Sequence, residues 1–232
     1  MKRTVGIIGG MGPQATVDLF QKIVSNTVSD SDNNHIHILI DNNIDIPDRT
    51  KSILNNSDLP LKYMSESAKK LESIGADFLA MPCNTAHYFY SRLSKEVNVP
   101  IINMIEETAK YLKSKGETNL LLLATVGTVK TKIYQEIFSQ LGLNVITPKQ
   151  DFQEEVMTAI YDYVKKGIKY DRVDIFKKYL NEYLENNLDN IILGCTELPI
   201  LFAENDLDYK VVDPTLVLAK KIIETAGYAV KN

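Results

Sequence analysis

The sequence predicts an α/β fold, on three observations. Short β-rich apolar runs alternate with amphipathic stretches of helical length along the 232 residues. Most of the β-rich runs are continuous rather than alternating, as expected of parallel strands buried on both faces. The order strand, cysteine, polar turn, helix occurs twice, around Cys83 and around Cys195, the only two cysteines of the chain. This repeat predicts two pseudo-symmetric lobes, each a parallel sheet flanked by helices, with the functional site in the cleft between them. No Gly/Ser-rich linker divides the chain. The junction is therefore set near Pro100: residues 1–99 with 213–232 form a lobe carrying Cys83, and residues 100–212 a lobe carrying Cys195.

In chain order, strands are expected at Thr4 to Ile8, His35 to Ile40, Asp77 to Met81, Val99 to Ile102, Asn119 to Ala124, Asn144 to Ile146, Asp189 to Leu193 and Lys210 to Val212. Helical periodicity marks Pro13 to Val28, Leu61 to Ile74, Thr85 to Val97, Ile105 to Lys115, Lys130 to Leu141, Phe152 to Lys166, Asp171 to Asn187 and Pro214 to Ala226. Gly167 suits a stop after Lys165 and Lys166.

With 44% hydrophobic residues the chain can bury one large core or two smaller ones. Its formal net charge of −4, with lysines and carboxylates interspersed, gives no basic stripe for nucleic acid. No apolar run approaches the roughly 20 residues of a membrane span, and no signal-peptide pattern opens the chain, so no membrane partner and a cytoplasmic location are expected. Two distant cysteines in a reducing compartment are read as free thiols.

Four motifs carry chemistry. Gly9-Gly10-Met11-Gly12-Pro13 follows the first strand and opens a helix, so it is either a tight turn or an anion cradle. Gly10, Gly12 and Ala15 also match G-x-G-x-x-A, but Pro13 and the distant Asp41 weaken a dinucleotide reading. The polar loop from Asp41 to Thr50 carries Arg49, which suits a carboxylate ligand or pairs with Asp45 or Asp48. Met81-Pro82-Cys83-Asn84-Thr85-Ala86-His87 and Leu193-Gly194-Cys195-Thr196-Glu197-Leu198 place each thiol at a strand end. A Cys2His zinc site from Cys83, His87 and Cys195 lacks the close C-x-x-C spacing that announces zinc, and a Cys-His acyl-transfer pair leaves one cysteine unused. No metal is expected. Lys165 and Lys166 either cap a helix C-terminus or give one cation to a substrate carboxylate.

These motifs, with Asn103 to Thr108, Leu123-Ala124-Thr125, Gly127-Thr128 and the stretch from Val156 to Lys165, resemble the aspartate racemase branch of the aspartate/glutamate racemase superfamily nearly end to end. The resemblance implies two α/β lobes with the site between them, a homodimer, and racemisation of an acidic amino acid without a cofactor, most directly L-aspartate to D-aspartate. It implies that Cys83 and Cys195 are the acid/base thiols and that Asn84, Thr85 and Thr196 surround the α-carboxylate and amine. Met11 would give a backbone contact, Arg49 and Lys165 would bind the distal carboxylate, and Thr125 and Thr128 would line the wall. Glu197 stands where glutamate racemases have histidine, which favours the aspartate branch and makes Glu197 an auxiliary acid/base or orienting group. Glutamate, broader amino-acid specificity, or a decarboxylase or isomerase of small diacids remain alternatives, as do a nucleotide-binding module and an amino-acid sensor.

Inverting an α-carbon requires a proton to leave one face and another to arrive on the opposite face, so one thiol must be ionised and the other protonated. A free thiol titrates near pH 8.5, and helix starts after each cysteine are expected to favour the thiolate.

Overall fold

The computed structural model describes residues 2–184 and 188–231, so the expected helical residues 185–187 lie outside the described residues. The chain forms two compact units, Met1–Thr108 with Thr215–Asn232, and Ala109–Pro214.

The first unit opens with β1 (Val5–Gly9), every residue of which is buried. Gly12 and Pro13 then start α1 (Pro13–Asn26), whose Ala15, Thr16, Leu19 and Ile23 face inward. The chain continues through β2 (Ile38–Asn42), α2 (Arg49–Leu54), α3 (Leu59–Ser73) and β3 (Phe78–Ala80). A 3-10 turn, Thr85–Phe89, leads into the single-turn α4 (Tyr90–Leu93), and α5 (Met104–Ser114) carries the chain out of the unit. The sheet is parallel throughout, in the order β2-β1-β3. Both faces are covered. Ile8, Leu79 and Met81 pack with Met64, Leu71 and Phe89, whereas Val5, Ile7 and Phe78 pack with Leu19, Ile23, Met104 and the C-terminal helix residues Leu218 and Ile222.

The second unit contains β4 (Asn119–Ala124), α6 (Val126–Thr131), α7 (Ile133–Ser139), β5 (Asn144–Ile146) and α8 (Gln150–Thr158). A π-helical turn, Ala159–Tyr163, and a 3-10 turn, Val164–Lys166, extend α8. Then follow α9 (Val173–Leu184), β6 (Asn190–Gly194), α10 (Glu197–Glu204), β7 (Val211–Val212) and α11 (Pro214–Thr225), the last of which returns to the first unit. This sheet is also parallel, in the order β5-β4-β6-β7. Leu121, Leu123, Ile191 and Leu193 form a core with Phe152, Val156, Phe176 and Leu180. Buried Glu155 accepts from Tyr170 Oη at 2.6 Å and Arg172 Nε at 2.9 Å, which pins the segment after Gly167 onto α8.

In each unit the first strand is central, the second lies on one side and the third on the other, and the cysteine follows the third. The expected strand Val99 to Ile102 reduces to one bridge, Ile101 beside Leu79. Pro100 offers its carbonyl to Leu79 N–H at 2.8 Å but has no N–H of its own to extend the ladder. The expected helix Lys130 to Leu141 instead starts at Val126, capped by Thr125, and breaks at Lys132, whose φ is +54°. The expected strand His35 to Ile40 starts only at Ile38, so His35 and His37 precede β2.

The glycine turn is fixed by close packing. Gly10 has φ +88°, and a Cβ there would lie 2.2 Å from the backbone oxygen of Asn43. Gly116 has a similar φ of +76° but faces open space. Gly10→Ala should therefore cost about 3 kcal/mol or more, the left-handed penalty plus overpacking, against about 1 kcal/mol for Gly116→Ala. Urea unfolding of both variants checks this, and equal losses would contradict the tight approach of the two loops.

Candidate active site

Because every strand runs the same way within each sheet, the strand ends of a unit share one edge, where open α/β sheets hold their ligands. In the first unit that edge carries the glycine turn, the loop after β2 and the Cys83 turn. Gly10 N–H donates to Thr16 Oγ1 at 3.0 Å, and Arg49 Nη2 donates to the Met11 carbonyl at 2.8 Å. Arg49 Nη1 also donates to the carbonyls of Ile46, at 3.3 Å, and Pro47, at 3.2 Å. Asp48 caps α2 by accepting from Lys51 N–H at 2.8 Å. Arg49 thus stitches its own loop to the buried Met11. The dinucleotide reading fits poorly here, since one amide of the glycine turn is spent on Thr16 and Asp41 pairs with Lys70 at 2.8 Å.

Cys83, Asn84, Thr85 and His87 are all buried. The backbone after Cys83 is 3-10, so His87 N–H goes to the Asn84 carbonyl at 3.0 Å. The His87 ring lies between two backbone groups: Nδ1 is 2.8 Å from the Cys83 carbonyl, and Nε2 is 3.1 Å from the Met104 amide. An amide can only donate, so Nε2 accepts from Met104 and the proton sits on Nδ1, directed at Cys83 O. Burial lowers the His87 pKa to about 4, and the carbonyls of Cys83 and Ile102 only partly oppose this. With both nitrogens committed to the main chain, His87 has no lone pair for zinc and is not placed as a base for a thiol. Among the described residues, no group of three or more His, Cys, Asp or Glu side chains could hold a metal ion.

In the second unit, β4 delivers Thr125 and β6 delivers Cys195. Thr125 Oγ1 caps α6 by accepting from Thr128 N–H at 3.4 Å and lies 3.3 Å from Thr128 Oγ1, and both threonines are buried. Cys195 Sγ donates to Glu197 Oε2 at 2.9 Å, and Thr196 Oγ1 donates to the same oxygen at 3.1 Å. Lys165, on the 3-10 turn after α8, sits 4.0 Å from Glu197 Oε1 and 4.1 Å from the centre of the Tyr161 ring. Lys166 instead pairs with Asp162 at 2.8 Å. Burial first, then the Glu197 carboxylate, pushes the Cys195 thiol well above its ordinary range, while Lys165 pulls the other way. The expectation that a helix start favours the thiolate therefore fails at Cys195: desolvation and an adjacent negative charge both oppose it.

The second unit thus brings together Cys195, Thr196, Glu197 and Lys165, and the first holds Met11 against Arg49 and Cys83 beside Asn84 and Thr85. Sequence reasoning passed over two residues near Cys195. Tyr134, fully buried at the start of α7, has its pKa pushed well up by burial and then by Asp213 and Cys195. Asp213 directly follows β7, the neighbour of β6. Its position at a strand end before a proline was the available signal.

The family model described as Asp/Glu/Hydantoin racemase matches residues 8–222. Among solved structures, the aspartate racemase of Picrophilus torridus is 35% identical with a TM-score of 0.82, covering 99% of this chain and 96% of that one. The broad specificity amino-acid racemase RacX of Bacillus subtilis (strain 168) is 26% identical over 95% of this chain and 97% of its own length. The glutamate racemase of Aquifex pyrophilus is 29% identical over 72% of this chain and 65% of its own.

Two measurements probe these environments. Glu197→Gln removes the charge that raises Cys195, so alkylation of Cys195 by iodoacetamide should begin at lower pH than in the wild type while staying above the range of a free thiol, because burial remains. An unshifted profile would remove Glu197 as a cause. For His87, the folded value of about 4 lies below the ordinary 6.5, so its contribution is whole above pH 6.5 and is lost as the pH falls towards 4. That contribution is about 3 kcal/mol. Urea unfolding between pH 7 and 4 should show a flatter loss of stability in His87→Gln than in the wild type, and parallel curves would contradict a neutral buried ring.

Proposed function

We infer the reaction from one premise, that the chain belongs to the Asp/Glu/hydantoin racemase family. Within that family we propose that it converts L-aspartate to D-aspartate and back, without a cofactor, using the thiols of Cys83 and Cys195. The observation that carries this reading is the similarity to an aspartate racemase over nearly the whole of both chains. Glu197 directly after Cys195-Thr196 supports the same branch.

The chemistry follows from proton balance. A thiolate takes the α-proton from one face, a carbanion forms, and the other thiol delivers its proton to the opposite face. Cys195, with its S–H directed at Glu197 and its ionisation opposed by burial, enters the cycle as the donor. Cys83 then takes the part of the base, and the reverse direction exchanges the roles. The α-proton is far less acidic than any side chain, so the carbanion needs fixed donors on its carboxylate in a dry site. Asn84 and Thr85 fill that role in this reading, joined by Thr196 once its hydroxyl turns from Glu197 to the substrate, with the Met11 backbone beside them and Thr125 and Thr128 on the wall. Lys165 receives the distal carboxylate, with Arg49 as the second cation. Among the described residues no helix is long and apolar enough to cross a membrane. Working thiols need a reducing compartment, so we place the reaction in the cytoplasm.

A wider specificity is the second reading, favoured by the similarity to glutamate and broad specificity racemases. One chiral assay decides between them: L- and D-forms of aspartate, glutamate and neutral amino acids are incubated in heavy water with no cofactor added. Deuterium at Cα and a racemic product are expected with aspartate first. Cys83→Ala and Cys195→Ala should each lower the rate by roughly 10²- to 10⁴-fold with the circular dichroism spectrum unchanged. Near-wild-type turnover in either variant would reject the two-thiol scheme.

A further inference from the structure

We propose that His87 is a positioning residue for the Cys83 thiol, a neutral ring wedged between the Cys83 carbonyl and the first amide of α5. The proposal rests on the reading of Cys83 as an acid/base group.

One backbone bond of a regular helix is missing at Cys83. In an α-helix the carbonyl of residue 83 would accept from the amide of residue 87, but here that amide is spent on Asn84 O in a 3-10 turn. The Cys83 carbonyl is buried with its residue and needs a donor. The side chain of the same residue supplies one, His87 Nδ1–H at 2.8 Å. On the far side of the ring, Nε2 takes the Met104 amide at 3.1 Å, a group that the start of a helix leaves without an intrahelical partner. Neighbouring amides of the same turn are served differently, Ile105 and Glu106 both donating to Asn103 Oδ1.

Only a neutral imidazole presents a donor and an acceptor at this fixed spacing. A protonated ring would aim a second N–H at the Met104 amide. The ring plane is also fixed: it lies 8° from parallel to the Tyr90 ring at 6.1 Å, and Tyr90 Oη is itself anchored on the Ile101 carbonyl at 3.0 Å. With both nitrogens engaged, His87 cannot exchange protons with a substrate and acts only through Cys83.

The second cysteine is held by other means. Leu198 N–H reaches the Cys195 carbonyl at 3.0 Å, and Pro199 stands four residues after Cys195, where His87 stands after Cys83. The duplicated architecture therefore carries a histidine wedge on one side alone, and its loss should disturb one thiol and spare the other.

The experiment uses the full chain and the variants His87→Leu and His87→Gln. The two cysteines are 6% and 8% exposed, so iodoacetamide is expected to react slowly enough for its rate to be followed at each by peptide mass. In His87→Leu the kcat for aspartate should fall by about tenfold or more with KM within about threefold, as displacement of a reacting group predicts. The alkylation rate of Cys83 should change by about fivefold or more while that of Cys195 stays constant. His87→Gln keeps a donor and an acceptor without the rigid ring and should lie between, and it decides alone if the leucine variant does not fold. A folded variant with wild-type kcat and wild-type Cys83 alkylation overturns the proposal. So does a change of both thiols in step with a loss of melting temperature, which would mark general loosening. Alkylation needs no turnover, so it judges His87 even if aspartate is not the substrate. Conversely, an inactive Cys83→Ala beside a fully active His87→Leu would remove only this proposal.

Discussion

Parallel pairing in the order second, first, third lays the ends of successive strands side by side in each unit, and the polar chemistry of the chain is assembled on those ends. A parallel strand buried on both faces leaves nothing but its end free to carry a polar group. The residues that follow β1, β3, β4 and β6 are accordingly Gly10, the Cys83 turn, Thr125 and Cys195. The helices enforce this indirectly. By covering both faces of the first sheet with Leu19, Ile23, Met64 and Leu71, they exclude water from the strands and push hydrogen-bonding groups to the edge.

At those edges, burial changes the chemistry of ordinary residues. Cys195 is a thiol that keeps its proton, because desolvation and Glu197 act in the same direction and Lys165 only partly offsets them. His87 is an imidazole kept neutral by the first of those reasons and by the Met104 amide, which only an unprotonated Nε2 can receive. Neither state is intrinsic to the residue type. A cysteine on an exposed helix start would lean towards the thiolate, and an exposed histidine would titrate near neutrality.

What the sequence revealed follows the range of each interaction. The strands Asn119–Ala124 and Asn144–Ile146 were readable to the residue, since an unbroken apolar run is a local signal. The turn Gly9 to Pro13 was readable as a turn, but the need for Gly10 comes from Asn43, more than thirty positions away. The pairing of Glu197 with Cys195 is two residues long, yet the reach of Lys165 to Glu197 spans 32 positions and depends on the π turn that follows α8. One short helix escaped notice and another, expected after Cys195, had no readable bounds, for a different reason. Arg49–Leu54 follows an Asp48 cap within a loop rich in turn formers, and Glu197–Glu204 contains Pro199, which the first turn of a helix tolerates but which reads as a break. His87 was visible as a residue and opaque as a role, because its second partner, Met104, is 17 positions further along.

The unlike support of the two cysteines bears on how the proposed two-thiol cycle would run. Enantiomers in water have equal free energy, so the enzyme gains nothing from one direction of conversion over the other. Each conversion nevertheless leaves the proton on the opposite sulfur, and the free enzyme must return to its starting state before it repeats the same direction. For a chain whose Cys195 strongly prefers the thiol, the form with Cys195 ionised is the costly one, and it is Glu197 and burial that set the cost. Lys165 is the counterweight: a cation between Glu197 and the Tyr161 ring lowers that cost without abolishing it. A substrate carboxylate drawn to Lys165 would share its charge and so reinforce the protonated state of Cys195 while the ligand is bound. Binding and protonation would then be linked through one lysine, and in the proposed reaction an acidic substrate and Cys195 as the initial donor would have a common electrostatic origin.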